Sequence, residues 1–117
     1  MLSVGGARRN ILTIDPQDKL EVLKGLSSPV RISILRLLHA RGPMNVNEIS
    51  KALKLPQSTV ATHVQVLEDS ALIGTETVKA SKGQQKICSA RYDEVFIRLD
   101  GVSAQQQDRM IEVAMPL

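Results

Sequence analysis

The sequence predicts a mainly α fold with one small β-hairpin, in the order α-α-α-α-β-β-α. Three observations predict it. Apolar residues recur at helical spacing through four stretches between residues 15 and 71. The pattern then changes to short Thr/Val-rich and alternating runs over 73–92, around a polar turn containing Gly83. Helical spacing then resumes toward the end of the chain.

Residues 1–14 hold no helical cap and one short apolar run, Ile11-Leu12-Thr13-Ile14, and are expected to form a flexible N-terminal arm against the fold. Asp15-Pro16 pairs an N-cap acid with a proline at the first helical position, so a first helix is expected from there to about Leu26, with Leu20, Leu23 and Leu26 on one face. Ser28-Pro29 repeats that start. Val30, Ile34, Leu37 and Leu38 align on one side of the second helix, which Gly42-Pro43 ends. Asn45 and Glu48 have the spacing of a capping box, and Ile49, Ala52 and Leu53 form the stripe of a short third helix.

Lys54-Leu55-Pro56 makes a tight connection to a fourth helix, expected from Pro56 or Gln57 to about Ser70. Its apolar residues Val60, Val64, Leu67 and Ala71 define one narrow face. Two strands follow, Ile73–Ala80 and Lys86–Tyr92, joined by Ser81-Lys82-Gly83-Gln84-Gln85. Asp93–Leu99 reads as helical. Ser103 and Gln106 then open an amphipathic helix that carries Met110, Ile111 and Ala114 and ends at Pro116. The expected division is an arm at 1–14, a core domain at 15–92 and C-terminal helices at 93–117.

Composition narrows the function. At 117 residues the chain fits one domain. Phe96 and Tyr92 are the whole aromatic complement, too few to stack the bases of a single strand. The net charge is +3, and it is unevenly placed: residues 1–46 hold seven Lys or Arg against three acids, and 79–92 hold four against none. Two basic regions fit a surface facing phosphate. A lone cysteine, Cys88, and the lack of a signal-peptide pattern or an apolar run of about 20 residues point to a cytoplasmic protein without a membrane partner. No nucleophile–base pair, glycine-rich phosphate loop or paired carboxylate marks an enzyme, and no cofactor is expected.

Two short helices joined by a tight turn and followed by a basic hairpin are the parts of a winged helix-turn-helix. The fourth helix has the narrow apolar stripe such a reader needs. Its other side offers Gln57, Ser58, Thr59, Ala61 and Thr62, short or uncharged groups suited to base edges and phosphates. The hairpin offers Lys79, Lys82 and Lys86 to phosphates.

Leu26-Ser-Ser-Pro-Val-Arg-Ile-Ser-Ile-Leu-Arg-Leu-Leu38 resembles the opening helix signature of ArsR-type winged-helix regulators. Leu55-Pro-Gln-Ser-Thr-Val-Ala-Thr-His-Val-Gln-Val-Leu67 with Ala71-Leu72-Ile73 resembles that family's recognition helix and its exit. The resemblance covers residues 17–99. It implies a homodimer on a palindromic double-stranded DNA operator, a repressor released when a small-molecule or protein effector arrives. It places DNA contacts at Gln57, Ser58, Thr59, Thr62, His63 and Gln65, with Arg31 and the hairpin lysines near phosphates. Apolar Leu20, Val95, Phe96, Leu99, Met110, Ile111 and Ala114 exceed what the terminal segments need for themselves and are the expected dimer contacts.

The departures are informative. Asn45 and Asn47 stand where many members carry thiolates for a soft metal, and amides ligate such ions poorly, so a non-metal effector is expected. Thr62 and Gln65 stand where Arg or Lys is common, and Ala71 where Gly usually ends the recognition helix. His63 reads as packing beside the stripe or touching phosphate, against a pH switch. Cys88 reads as a small core residue, against a redox sensor. The apolar ending Met115-Pro116-Leu117 leaves room for a longer regulator with a further C-terminal domain. The rival reading is a winged-helix protein-interaction or assembly module that does not bind DNA.

Overall fold

The computed structural model describes residues 9–101. The expected helix at 103–116, with Met110, Ile111 and Ala114, lies outside the described residues, as does Arg8.

The elements run β1 (Ile11–Ile14), α1 (Leu20–Leu26), α2 (Pro29–Arg41), β2 (Met44–Asn45), α3 (Val46–Leu53), α4 (Gln57–Asp69), β3 (Ile73–Ala80), β4 (Gly83–Ala90) and β5 (Glu94–Ile97). This is the expected winged helix-turn-helix. The four helices meet on one core, in which Ile34 of α2, Ile49 of α3, Val60, Val64 and Leu67 of α4, Ile73 of β3 and Cys88 of β4 are fully buried.

Local chemistry accounts for most of the boundaries. The Ser28 hydroxyl accepts from the Arg31 N–H at 3.3 Å and Pro29 fills the first turn of α2. Asn45 and Glu48 close the capping box of α3 in both directions, at 2.7 and 2.9 Å. Both helices of the helix-turn-helix end in the same way. The Leu55 N–H reaches the Ser50 carbonyl at 3.1 Å and the Leu72 N–H reaches the Leu67 carbonyl at 3.0 Å, across left-handed Lys54 and Ala71. Gly25 of α1 lies so close to α4's exit that a Cβ there would sit 2.6 Å from the Ser70 hydroxyl and 2.9 Å from Leu72.

The wing is the three-stranded antiparallel sheet β2-β4-β3, with Met44 opposite Cys88 and Thr75 opposite Cys88 on the other side. Alternation places Cys88, Ala90 and Lys86 on one face, opposite Thr75, Ile73 and Thr77. Burial pushes the Cys88 thiol up from its ordinary value.

Four sequence expectations are corrected. Asp15-Pro16 does not start a helix. The Asp15 carboxylate accepts from the Gln17 N–H at 2.9 Å and closes a turn, so α1 begins only at Leu20. Residues 11–14 are no loose arm, and 93–99 are no helix. Ile11–Ile14 pairs in parallel with Glu94–Ile97, from Ile11 opposite Glu94 to Ile14 opposite Ile97. The run Glu-Val-Phe-Ile is β-branched and aromatic, and pairing with a strand more than eighty residues earlier decides its conformation. The hairpin turn is narrower than expected. Ala80 pairs with Gly83, leaving Ser81-Lys82 as a two-residue loop, and Gly83 takes φ +102°. Gln84 and Gln85 belong to β4. They escaped detection because the wing projects beyond the core and has no apolar face there.

Candidate nucleic-acid interface

α4 has two sides. Val60, Val64 and Leu67 are buried, whereas Gln57, Ser58, Ala61, Thr62, Gln65 and Asp69 are exposed. At 100° per residue, Ser58, Thr62, Gln65 and Asp69 form a strip almost opposite the buried one. Thr59 and His63 are half-buried along one flank. α4 carries no Lys or Arg. Pro56 at its N-cap supplies no side-chain hydrogen bond, unlike Ser28 before α2 and Asn45 before α3. The first-turn N–H groups of α4 therefore have no side-chain cap.

Several of these side chains are already engaged. Gln57 Nε2 donates to Asn47 Oδ1 across the helix-turn-helix. The Thr62 hydroxyl donates to the Ser58 carbonyl at 3.0 Å. Gln65 Nε2 donates to Asp69 Oδ1 at 2.9 Å. Asn45 and Asn47, the positions where the family resemblance puts thiolates, serve as the α3 cap and as Gln57's acceptor.

Arg31 proves to be a clamp. Its Nε donates to the Gly25 carbonyl at 2.8 Å and its Nη2 to the Lys24 carbonyl at 2.9 Å, satisfying the end of α1. Its Nη1 lies 3.1 Å from His63 Nδ1. Guanidinium nitrogens only donate, so His63 Nδ1 is the acceptor in this contact. The expected phosphate contact is thus joined to α1 and to α4 within the same domain.

The wing lysines separate. Lys79 and Lys82 are exposed near the tip. Lys86 instead donates to Glu68 Oε1 at 2.9 Å, while the Thr75 hydroxyl donates to Glu68 Oε2 at 2.5 Å. These two bonds fasten the wing to the end of α4. The hydroxyl bond first and the ammonium second hold the Glu68 carboxyl below its ordinary value. Sequence reasoning missed this junction because residues 68, 75 and 86 have no common spacing; hairpin register brings them together.

Of the expected dimer contacts, Leu20, Phe96 and Leu99 are exposed, at 52, 50 and 86%. Val95 is half-buried and packs on the core. Ile11 and Ile97 join the exposed apolar set beside them. Among the described residues no three His, Cys, Asp or Glu side chains gather as a metal site, and no helix is long and apolar enough to cross a membrane.

The fold and this surface together define a class, the winged helix-turn-helix modules. A helix-turn-helix domain family matches residues 26–75. An uncharacterised HTH-type transcriptional regulator of Methanocaldococcus jannaschii is 30% identical over 80 residues, covering 68% of this chain and 83% of that protein. The transcriptional repressor PagR of Bacillus anthracis is 42% identical over 48 residues, covering 41% of this chain and 48% of its own. The crystal structure of PagR superposes with a TM-score of 0.51 at 27% identity, covering 66% of this chain and 83% of that one. The crystal structure of an ArsR family transcriptional regulator gives a TM-score of 0.52 at 22% identity over 81% of this chain and 87% of that one, a likeness of fold. The chain belongs to the HTH-type transcriptional regulators, and its fold is that of an ArsR family member. It is a DNA-binding regulator.

Proposed function

We propose that the chain is a sequence-specific repressor that binds a palindromic operator as a homodimer and leaves it when a non-metal effector binds. In this reading residues 15–92 hold the DNA and 93–117 supply dimer contacts. Gln57, Ser58, Thr59, Thr62, His63 and Gln65 meet the major groove, and Lys79 and Lys82 meet the adjacent backbone. Arg31 and Lys86 act indirectly, one by fixing α1 against α4 and the other by fixing the wing. Leu20, Val95, Phe96 and Leu99, with Met110, Ile111 and Ala114, join the two copies.

One observation carries the reading: the exposed strip of α4 opposite its buried face, polar and uncharged from Ser58 to Gln65, on the same domain as a hairpin with free lysines near its tip. The groove is about 12 Å wide and admits a helix with such a face. The uncapped first turn of α4 offers N–H groups to a phosphate at the same end.

The test is retention of duplex DNA at two salt concentrations. Binding at low salt that weakens as salt rises is expected, since each phosphate neutralised adds about 0.9 to the log–log slope. The exposed apolar set of Ile11, Phe96, Ile97 and Leu99 favours a second reading, an assembly module that meets another protein. Absence of duplex binding at low salt would decide for that one.

A further inference from the structure

We infer that the operator is read through A·T base pairs under α4, with adenine edges and thymine methyl groups as the contacted features. This rests on the proposed entry of α4 into the major groove and adds which bases lie beneath it.

Each base shows a different pattern in that groove. Guanine presents two acceptors, which a cation with several donors reads. Adenine presents one acceptor and one donor, which an amide matches. Thymine presents a methyl group, and cytosine a donor that a carboxylate takes. The exposed strip of α4 answers only part of this code.

It holds no side chain with the paired donors that guanine's two acceptors take, because α4 has neither Lys nor Arg and His63 gives one ring nitrogen to Arg31. Arg31, the guanidinium bonded to α4 through His63, sits on the flank and is held by the Lys24 and Gly25 carbonyls. The two carboxylates lie toward the other end of the helix from its first turns. Glu68 is bonded to Thr75 and Lys86. Asp69 accepts from Gln65 and sits at the far end of the helix, about 18 Å along the axis from Gln57 at 1.5 Å per residue.

What remains suits A·T pairs. Gln57 and Gln65 each spend one amide hydrogen within the protein, on Asn47 and Asp69. Each keeps one N–H and its carbonyl oxygen, the donor and acceptor that adenine N7 and N6 require. Neither keeps the two donors that guanine requires. Thr62 has spent its hydroxyl proton on the Ser58 carbonyl, so toward DNA it offers an acceptor and a methyl group. Ala61 beside it is exposed and adds a second methyl. The two methyls lie about 100° apart around the helix, and each fits a thymine of its own.

The experiment selects duplexes from a random pool with the full chain and maps the α4 footprint by exchanging bases singly. Enrichment of A·T there is expected. Replacing one such pair by G·C should weaken binding roughly 5- to 150-fold, the range of a wrong base. Uracil in place of a contacted thymine, which removes only the methyl, should weaken binding roughly fivefold. The Gln65→Arg variant, altered at an exposed position, should shift selection at one footprint position to guanine. Salt-dependent binding with G·C or no preference under α4 overturns this inference and leaves the proposed function standing. Failure to retain any duplex at low salt overturns both.

Discussion

Ala71 adopts φ +61°, a left-handed conformation in which a Cβ crowds the following carbonyl. The Leu72 N–H to Leu67 carbonyl bond that closes α4 requires it. Glycine takes this conformation freely, at some cost in unfolded-chain entropy. Ala71→Gly is therefore expected to stabilise the chain by about 0.5–1 kcal/mol, read as a raised urea midpoint at unchanged slope. The missing glycine was visible in the sequence; the backbone angle that makes it costly was not. Arg31 teaches the converse. A basic residue at the start of a helix beside a recognition helix reads as a phosphate ligand, yet its donors are drawn inward by the Lys24 and Gly25 carbonyls at the end of α1. Which acceptors lie near a guanidinium is a property of packing, not of the residue's type.

The joint between α4 and the wing operates at the level of elements. Glu68 accepts from Thr75 and Lys86, and these partners lower its pKa below the ordinary 4.5. A carboxyl lowered in the folded state stabilises the fold above its unfolded pKa, and that contribution is lost as pH falls through the lowered folded value. Wild type is thus expected to be more stable than Glu68→Gln at neutral pH, with the difference shrinking below pH 4.5; denaturant midpoints at neutral and acid pH measure it. The same joint divides the lysines. Lys79→Ala and Lys82→Ala should each reduce the salt slope of duplex binding by about 0.9. Lys86→Ala should change it less and lower stability instead, since its ammonium already has a partner. Equal slope changes for all three would contradict the assignment. Strand β5 belongs here too. Glu-Val-Phe-Ile at 94–97 carries a strand signal in its residue types, but four residues are too few to settle the period, and its partner Ile11–Ile14 is remote in sequence.

For the whole molecule the open quantity is how the exposed apolar set is covered. Phe96 and Leu99 are 50 and 86% exposed in one copy. A double variant, Phe96→Asp with Leu99→Asp, is expected to sediment as a monomer and to lose operator affinity together with the dimer. Its thermal midpoint at low concentration should change little, because these side chains contribute little to the core of one copy. Sedimentation that stays dimeric would remove them from the interface.

The caps, breaks and apolar spacing between residues 28 and 70 determined α2, α3, α4 and the helix-turn-helix by themselves, because Ser28, Asn45, Pro29 and Gly42 act over three or four residues and need no distant partner. Only the tertiary structure decided that residues 11–14 and 94–97 are paired strands, that Arg31 is a clamp, and that Lys86 is tied while Lys79 and Lys82 are free. Each of these depends on groups brought together across the chain, where hydrogen-bond partners are set by register and burial and leave no periodic trace in the residues.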